Sequence, residues 1–245
     1  MKNYKFLIEY DGSRYYGWQR QPGQTTIQGK LESVLGVLCG RETEVIGAGR
    51  TDAGVHARGM VANAFLETDS TPEEIRDFLN RYLPDDIAVK EVREASPRFH
   101  ARYNAIGKTY RYNCYTGAVK PVFDRKYYWG LEEKPDLKPM LQAVGILKGE
   151  HDFRNFCVNP RMKKSTVRVV DRIEIRYEGE YLIFIFHGAG FLQNMVRIMV
   201  GTLLEVGCGR MTPGQVREVL ECPDRKKAGP TAPPQGLCLM SVDYD

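Results

Sequence analysis

Along this chain of 245 residues the hydrophobic period changes between two and 3.6 residues in an order that is run through twice, and few folds accept that order. Tyr4, Phe6, Ile8 and Tyr10 alternate with Lys5, Leu7 and Glu9, which predicts a strand ending at the Asp11-Gly12 turn. Thr25 and Gln28 then read as a capping box, and Ile27, Leu31, Val34, Leu35 and Leu38 make one helical stripe stopped by Gly40. Apolar stretches at 45–46 and 60–66 predict strands. A second capping box, Thr71-Pro72-Glu73-Glu74, opens a helix with Ile75, Phe78, Leu79 and Tyr82 on one face, and 87–92 reads as a further strand.

The second half follows the same order loosely. A strand over 109–115 puts Tyr110, Tyr112 and Cys114 on one face and Arg111, Asn113 and Tyr115 on the other. A helix spans about 137–147, 167–177 and 181–187 make a hairpin across Glu178-Gly179-Glu180, a long helix starts near Leu192, and a capped one starts at Thr212-Pro213. No residue-level repeat accompanies this order. The expected fold is α+β: a mixed, largely antiparallel sheet with helices packed on one side, built as two similar β-α-β-β-α halves around a central cleft. The halves are expected at 1–105 and 106–245.

Charge is distributed unevenly between the flanks and the middle. Residues 81–172 carry 19 Lys+Arg against 11 Asp+Glu, whereas both flanks are slightly acidic. That pattern suits a polyanion held on one surface, although a solvated charged face reads the same way. The six cysteines form no CxxC pair, which spells out neither a zinc knuckle nor a thioredoxin-like site and fits a reducing compartment. The most apolar window, 191–209, contains Gln193, Asn194, Arg197 and Glu205, which excludes an ordinary membrane span. MKNYKFLIEY lacks a signal-peptide apolar run, so a cytoplasmic protein with no membrane contact is expected.

The segment with most chemistry in it is GAGRTDAGVHARG (47–59). Four glycines in thirteen residues permit tight backbone turns around Arg50, Asp52, His56 and Arg58. GxGxxG and GxxxxGK[ST] are both absent, and no helix follows to hold a phosphate. An Asp that merely fixes a hairpin turn is the competing reading. Against it, a lone carboxylate among cations suits a nucleophile or base acting where positive charge develops, such as a sugar C1′. No second carboxylate marks a glycosidase pair.

GRTDAGVHA (49–57) resembles the nucleophile loop of the tRNA pseudouridine synthases of the TruA type. YDGSRYYGWQRQ, TIQGKLE, FHAR, KTYRY, GEHDFRNF, FLQNMVRIMVG and TAPPQGLCL are similar to further blocks of that family, in the family's order and over nearly the whole chain. Met60 departs from the pattern, where Gln is frequent. The resemblance implies an isomerase that cleaves the C1′–N1 bond of uridines 38, 39 and 40 in the tRNA anticodon stem and loop, turns the uracil and rejoins C1′ to C5, without metal or cofactor.

It implies Asp52 as the catalytic aspartate, within the 1–105 half. It also implies Tyr110 as the active-site tyrosine, Arg197 as the arginine paired with the aspartate, and Arg50 as the cation that holds the backbone of a flipped nucleotide. Alone, Tyr110 would read as a core residue. Arg197 lies about 100° from the centre of the stripe of Leu192, Met195, Val196, Met199, Val200 and Leu203, so it can face a cleft. The RNA surface is expected to use Phe99, His100, Arg102 and Tyr103 together with Arg161, Lys163 and Lys164. Arg168 and Arg172, on a strand, suit a solvated face. His56, His151 and His187 read as structural, and Trp18 and Trp129 as anchors. A homodimer with a composite tRNA cleft follows from the resemblance. A non-catalytic RNA-binding module is the alternative.

Overall fold

The computed structural model describes residues 1–158, 165–222 and 224–245. The elements in chain order are β1 (Lys2–Tyr10), α1 (Ile27–Cys39), β2 (Ile46–Gly47), β3 (His56–Leu66), α2 (Pro72–Tyr82), β4 (Ile87–Ala95), β5 (Ala105–Tyr115) and β6 (Trp129–Gly130). Then come α3 (Leu137–Leu147), β7 (Gly149–Asp152), β8 (Val167–Glu178), β9 (Tyr181–Gly188), α4 (Met195–Gly207), α5 (Pro213–Glu221) and β10 (Leu237–Tyr244). They form two units, one of residues 1–106 with 238–245 and the other of 107–237.

In the first unit the strand order is β4-β1-β3-β10, with β2 beside β3. All pairings are antiparallel except that of β10 with β3, which is parallel at Cys238↔His56 and Leu239↔Ala57. The expected alternation holds: Tyr4, Phe6, Ile8 and Tyr10 are buried. On α1 the buried residues include Ile27, Leu31 and Leu35, and on α2 Ile75 and Leu79. Tyr82 departs from its expected face and is exposed, its ring 4.6 Å from that of Phe78.

Thr71 and Glu74 make the predicted capping box, and Gly40 ends α1 with a left-handed φ of 65°. The α1 cap differs from expectation by one residue. Thr26 is the N-cap, accepting the Gly29 amide, while the amides of Ile27 and Gln28 donate to the carbonyls of Gly17 and Trp18. With its capping role taken over, the Gln28 side chain accepts the Arg20 amide and donates to the Val45 carbonyl. Burial of each large apolar side chain contributes roughly 1.5–3 kcal/mol against about 1 kcal/mol for a cap, so packing decides where α1 sits.

In the second unit the order is β5-β9-β8-β7, antiparallel throughout, with β6 parallel to β5. Tyr110, Tyr112 and Cys114 are buried along one face of β5. The α4 helix begins at Met195 instead of near Leu192, and it is not amphipathic. Ile198, Gly201, Thr202 and Leu204 are buried as well as the predicted stripe. The reason is the segment 228–236, which covers its other flank. A Cβ on Gly201 would stand 1.9 Å from the Pro230 carbonyl oxygen, and one on Gly229 2.5 Å from the Thr202 amide.

The fold is thus α+β with a largely antiparallel set of strands. Residues 238–245 group with the first unit, in which β10 pairs with β3. All six cysteines are free thiols. Among the described residues no helix is long and apolar enough to cross a membrane.

Candidate active site

The loop carrying Asp52 leaves β2 and re-enters the sheet at β3, and its backbone is clamped by the loop that follows β1. The Trp18 amide donates to the Thr51 carbonyl (3.1 Å) and the Gly54 amide to the Tyr15 carbonyl (3.2 Å), while within the loop the Val55 amide closes a turn onto the carbonyl of Asp52 (3.1 Å). Thr51 Oγ1 shares a 2.8 Å hydrogen bond with the Tyr10 hydroxyl. Glycines permit the approach. A Cβ on Gly12 would lie 2.0 Å from the Val55 oxygen, and one on Gly17, whose φ is +87°, would lie 2.5 Å from the Thr51 oxygen. Thr51 and Val55 are buried, Asp52 is half-buried and Arg50 is exposed. A carboxylate is therefore held at fixed backbone with an exposed cation two residues before it.

The clamping loop is itself tied down. The Tyr15 hydroxyl donates to Asp86 Oδ1 (2.5 Å) and the Asp11 amide to the Asp86 carbonyl (2.9 Å). Burial, then the hydrogen bond to Asp86, pushes the Tyr15 phenol above its ordinary range. Trp18 is buried against Gly47, where a Cβ would meet its ring at 2.5 Å, which makes it an anchor. His56 is buried, and its Nδ1 accepts the Gly12 amide at 3.0 Å. Asp11 Oδ1 lies 3.2 Å from the same nitrogen but already accepts from the Ser13 amide and hydroxyl. The amide hydrogen is fixed and points at Nδ1, so we take that nitrogen as the acceptor and His56 as a structural brace.

Tyr110 and Arg197 both belong to the second unit. Tyr110 is 8% exposed, with its ring edge-on to Phe191 at 5.3 Å. Arg197 is half-buried on α4. Its Nε donates to the Ala232 carbonyl (2.6 Å) and its Nη1 to Asn194 Oδ1 (2.5 Å), while the Ala232 amide returns a bond to the Arg197 carbonyl (3.2 Å). Off the buried stripe, as its helical position requires, Arg197 lies beside the segment 228–236. Tyr112 secures that segment from β5, donating from its hydroxyl to the Pro233 carbonyl at 2.8 Å. Gly236 admits it, since a Cβ there would be 2.5 Å from Tyr112 Cζ.

The turn 99–103 divides its residues by role. Arg102 and Tyr103 are exposed, and His100 Nδ1 accepts both their amides while its ring lies 4.2 Å from that of Tyr103. Phe99 instead packs on Tyr244 (5.2 Å), with Lys5 Nζ over both rings. Burial, then Arg93, pulls the Lys5 ammonium below its ordinary value. Beneath the turn lie two buried asparagines. Asn3 donates to the carbonyls of Ser96 and Phe99, Asn63 donates to Asn3 and accepts the Ala101 amide, and the Tyr244 hydroxyl donates to the Ala101 carbonyl. These anchors were missed in the sequence. The available signal was an Asn in the otherwise apolar run of β3.

Arg161, Lys163 and Lys164 lie outside the described residues. Arg168 donates to the carbonyls of Ser165 and Val167, and Arg172 faces Glu174 at 3.8 Å. His187 pairs with Asp171 at 2.5 Å. An open cavity of about 1330 Å³ is lined by residues of α1 and of 19–23 and 40–44, with Arg20, Glu32 and Arg41 in its walls. Asp52 does not line it, and its mixed charges single out no reaction. Among the described residues no group of three or more His, Cys, Asp or Glu side chains is placed to hold a metal.

The family described as tRNA pseudouridine synthase matches residues 7–104 and 143–245. The tRNA pseudouridine synthase A of Bacillus sp. (strain KSM-64) is 47% identical over 245 residues, covering 100% of both chains. Its namesake in Geobacter sulfurreducens is 46% identical over the same length and coverage, and that of Clostridium kluyveri is 43% identical over 244 residues. Among solved structures, a chain of a Cbf5-Nop10-Gar1 complex aligns with 97% of this chain and 49% of its own, at 14% identity and a TM-score of 0.39, too distant to support any argument.

Proposed function

Since the chain belongs to the tRNA pseudouridine synthase family, we propose that Asp52 is its catalytic carboxylate, assisted by Tyr110 and Arg197, and that its targets are uridines 38, 39 and 40 of tRNA. The enzyme is an isomerase converting uridine to pseudouridine in tRNA. The reaction breaks C1′–N1 and forms C1′–C5; the C5 proton is lost and N1 regains one, so no atom or electron is needed from outside. Arg50 would hold the backbone of the flipped nucleotide, Tyr110 would present its ring and hydroxyl to the uracil, and Arg197 would supply the fork that orients a carboxylate.

The observation that carries the reading is the clamp on Thr51 and Gly54 by Trp18 and Tyr15, which holds the backbone on both sides of Asp52. Preorganisation of this kind is what a carboxylate working at a sugar carbon requires. A turn-fixing Asp would need no such bracing from a separate loop. The direct test uses unmodified tRNA carrying C5-tritiated uridine. Tritium release, with new pseudouridines mapped to 38–40, is the expected result. Tight binding without release would instead identify an RNA-binding module.

Arg102, Tyr103 and His100 present the surface we assign to the anticodon stem, with Phe99 bracing the turn from beneath. Arg161, Lys163 and Lys164, which lie outside the described residues, are assigned by charge alone as further phosphate contacts. Replacing those three with Ala is expected to flatten the slope of log K against log salt, by up to about 2.7 if each releases one counterion. An unchanged slope would exclude them from phosphate contact. We also propose a homodimer working on tRNA in the cytoplasm. Light scattering at micromolar concentration is expected to report twice the chain mass, and a fully active monomer would overturn the dimer.

A further inference from the structure

Asn194 is the only non-glycine residue with positive φ among the described residues, at φ 60° and ψ 6°. It occupies the N-cap of α4, where an Asn in extended conformation ordinarily accepts the amide of the second or third helical residue. Here the side chain makes no capping bond. Its Oδ1 instead accepts Arg197 Nη1 at 2.5 Å. The left-handed backbone turns the amide away from the helix end and towards the arginine.

The second acceptor on that guanidinium is the Ala232 carbonyl, 2.6 Å from Nε. Ala232 is fully buried, and its segment is fixed by the Gly229 amide on Thr202 Oγ1 (2.9 Å) and by the contact of Gly201 with Pro230. One prong is therefore rigid backbone, and the other is a side chain on a conformation that few residues adopt. Two acceptors on different nitrogens fix the plane of the guanidinium as well as its position. A planar fork serves a carboxylate only when that plane is set.

We propose that Asn194 is a positioning residue that sets the guanidinium plane of Arg197 for catalysis. The inference rests on the role assigned to Arg197 above. It also explains why a left-handed Asn stands at this helix start, where a serine or threonine in extended conformation would cap better.

Asn194→Gly keeps the backbone conformation and removes only the acceptor. Single-turnover rates on tRNA are expected to fall about 10- to 100-fold, the scale of a misaligned catalytic group, with tRNA affinity unchanged and the melting temperature equal or higher. In an Arg197→Lys background, where no fork remains to be aligned, the same substitution is expected to cost less than about twofold, the non-additivity of groups acting as one unit. Asn194→Gly at the parent rate would overturn the proposal. So would a loss repeated in full in the lysine background, which would mark a purely structural role. Failure of the underlying reading looks different: Arg197→Lys alone would then run at the parent rate, whatever Asn194→Gly does.

Discussion

Asp52→Asn is expected to lower pseudouridine formation by about 10⁴-fold or more while leaving tRNA affinity close to that of the parent chain. The substitution keeps volume and most hydrogen-bonding capacity and removes only charge and nucleophilicity. Binding should survive because the surface assigned to it, around Arg102 and Tyr103, depends on other anchors, among them Asn3, Asn63 and Tyr244. Thermal melting supplies the control, since an aspartate that merely held the turn would lower Tm when replaced. Substantial turnover by the variant would overturn the assignment of Asp52. Arg197→Lys should fall between parent and Asp52→Asn, because the charge persists and the bidentate fork does not.

The second large effect is expected from a residue that touches no substrate. Gly17→Ala places a Cβ 2.5 Å from the Thr51 oxygen on a backbone with φ of +87°. The left-handed conformation alone costs an alanine about 1–2 kcal/mol, and the clash with a carbonyl can be relieved only by moving one loop off the other. A total near 3 kcal/mol would lower Tm by about 6–12 °C for a chain of this size. The activity loss should exceed what stability explains, reaching about 100-fold at temperatures where the variant is fully folded, because the Asp52 backbone shifts with Thr51. Parent-like melting and turnover would show that the clamp is dispensable.

The contrast between Gly17 and Asp52 shows what was legible in the sequence. Side-chain chemistry in a short stretch is readable, so GRTDAGVHA marked the loop and its carboxylate. The alternation in β1, the box at Thr71 and the helix start at Thr212-Pro213 were readable for the same reason: each signal lies within a few residues of itself. The clamp is made of main-chain amides and carbonyls, which every residue carries, and only its glycines leave a trace.

Tertiary pairing also displaced local signals. The α1 cap moved to Thr26 once Gly17 and Trp18 took the next two amides. The apolar stripe on α4 understated its burial because the cover at 228–236 comes from farther along the chain. β10 has one neighbour in β3, a strand very distant in sequence, and no local pattern announces such a partner.

That pairing has a consequence for the order in which the protein comes into being. β1, β3 and β4 are made early, but the edge of β3 at His56 and Ala57, directly after the Asp52 loop, waits for Cys238 and Leu239. At usual rates of translation the interval is roughly 10–40 s. Throughout it the nascent chain carries an open strand edge, the kind of surface chaperones cover. Activity on tRNA is therefore expected only once Cys238 and Leu239 have been made and have paired beside the Asp52 loop.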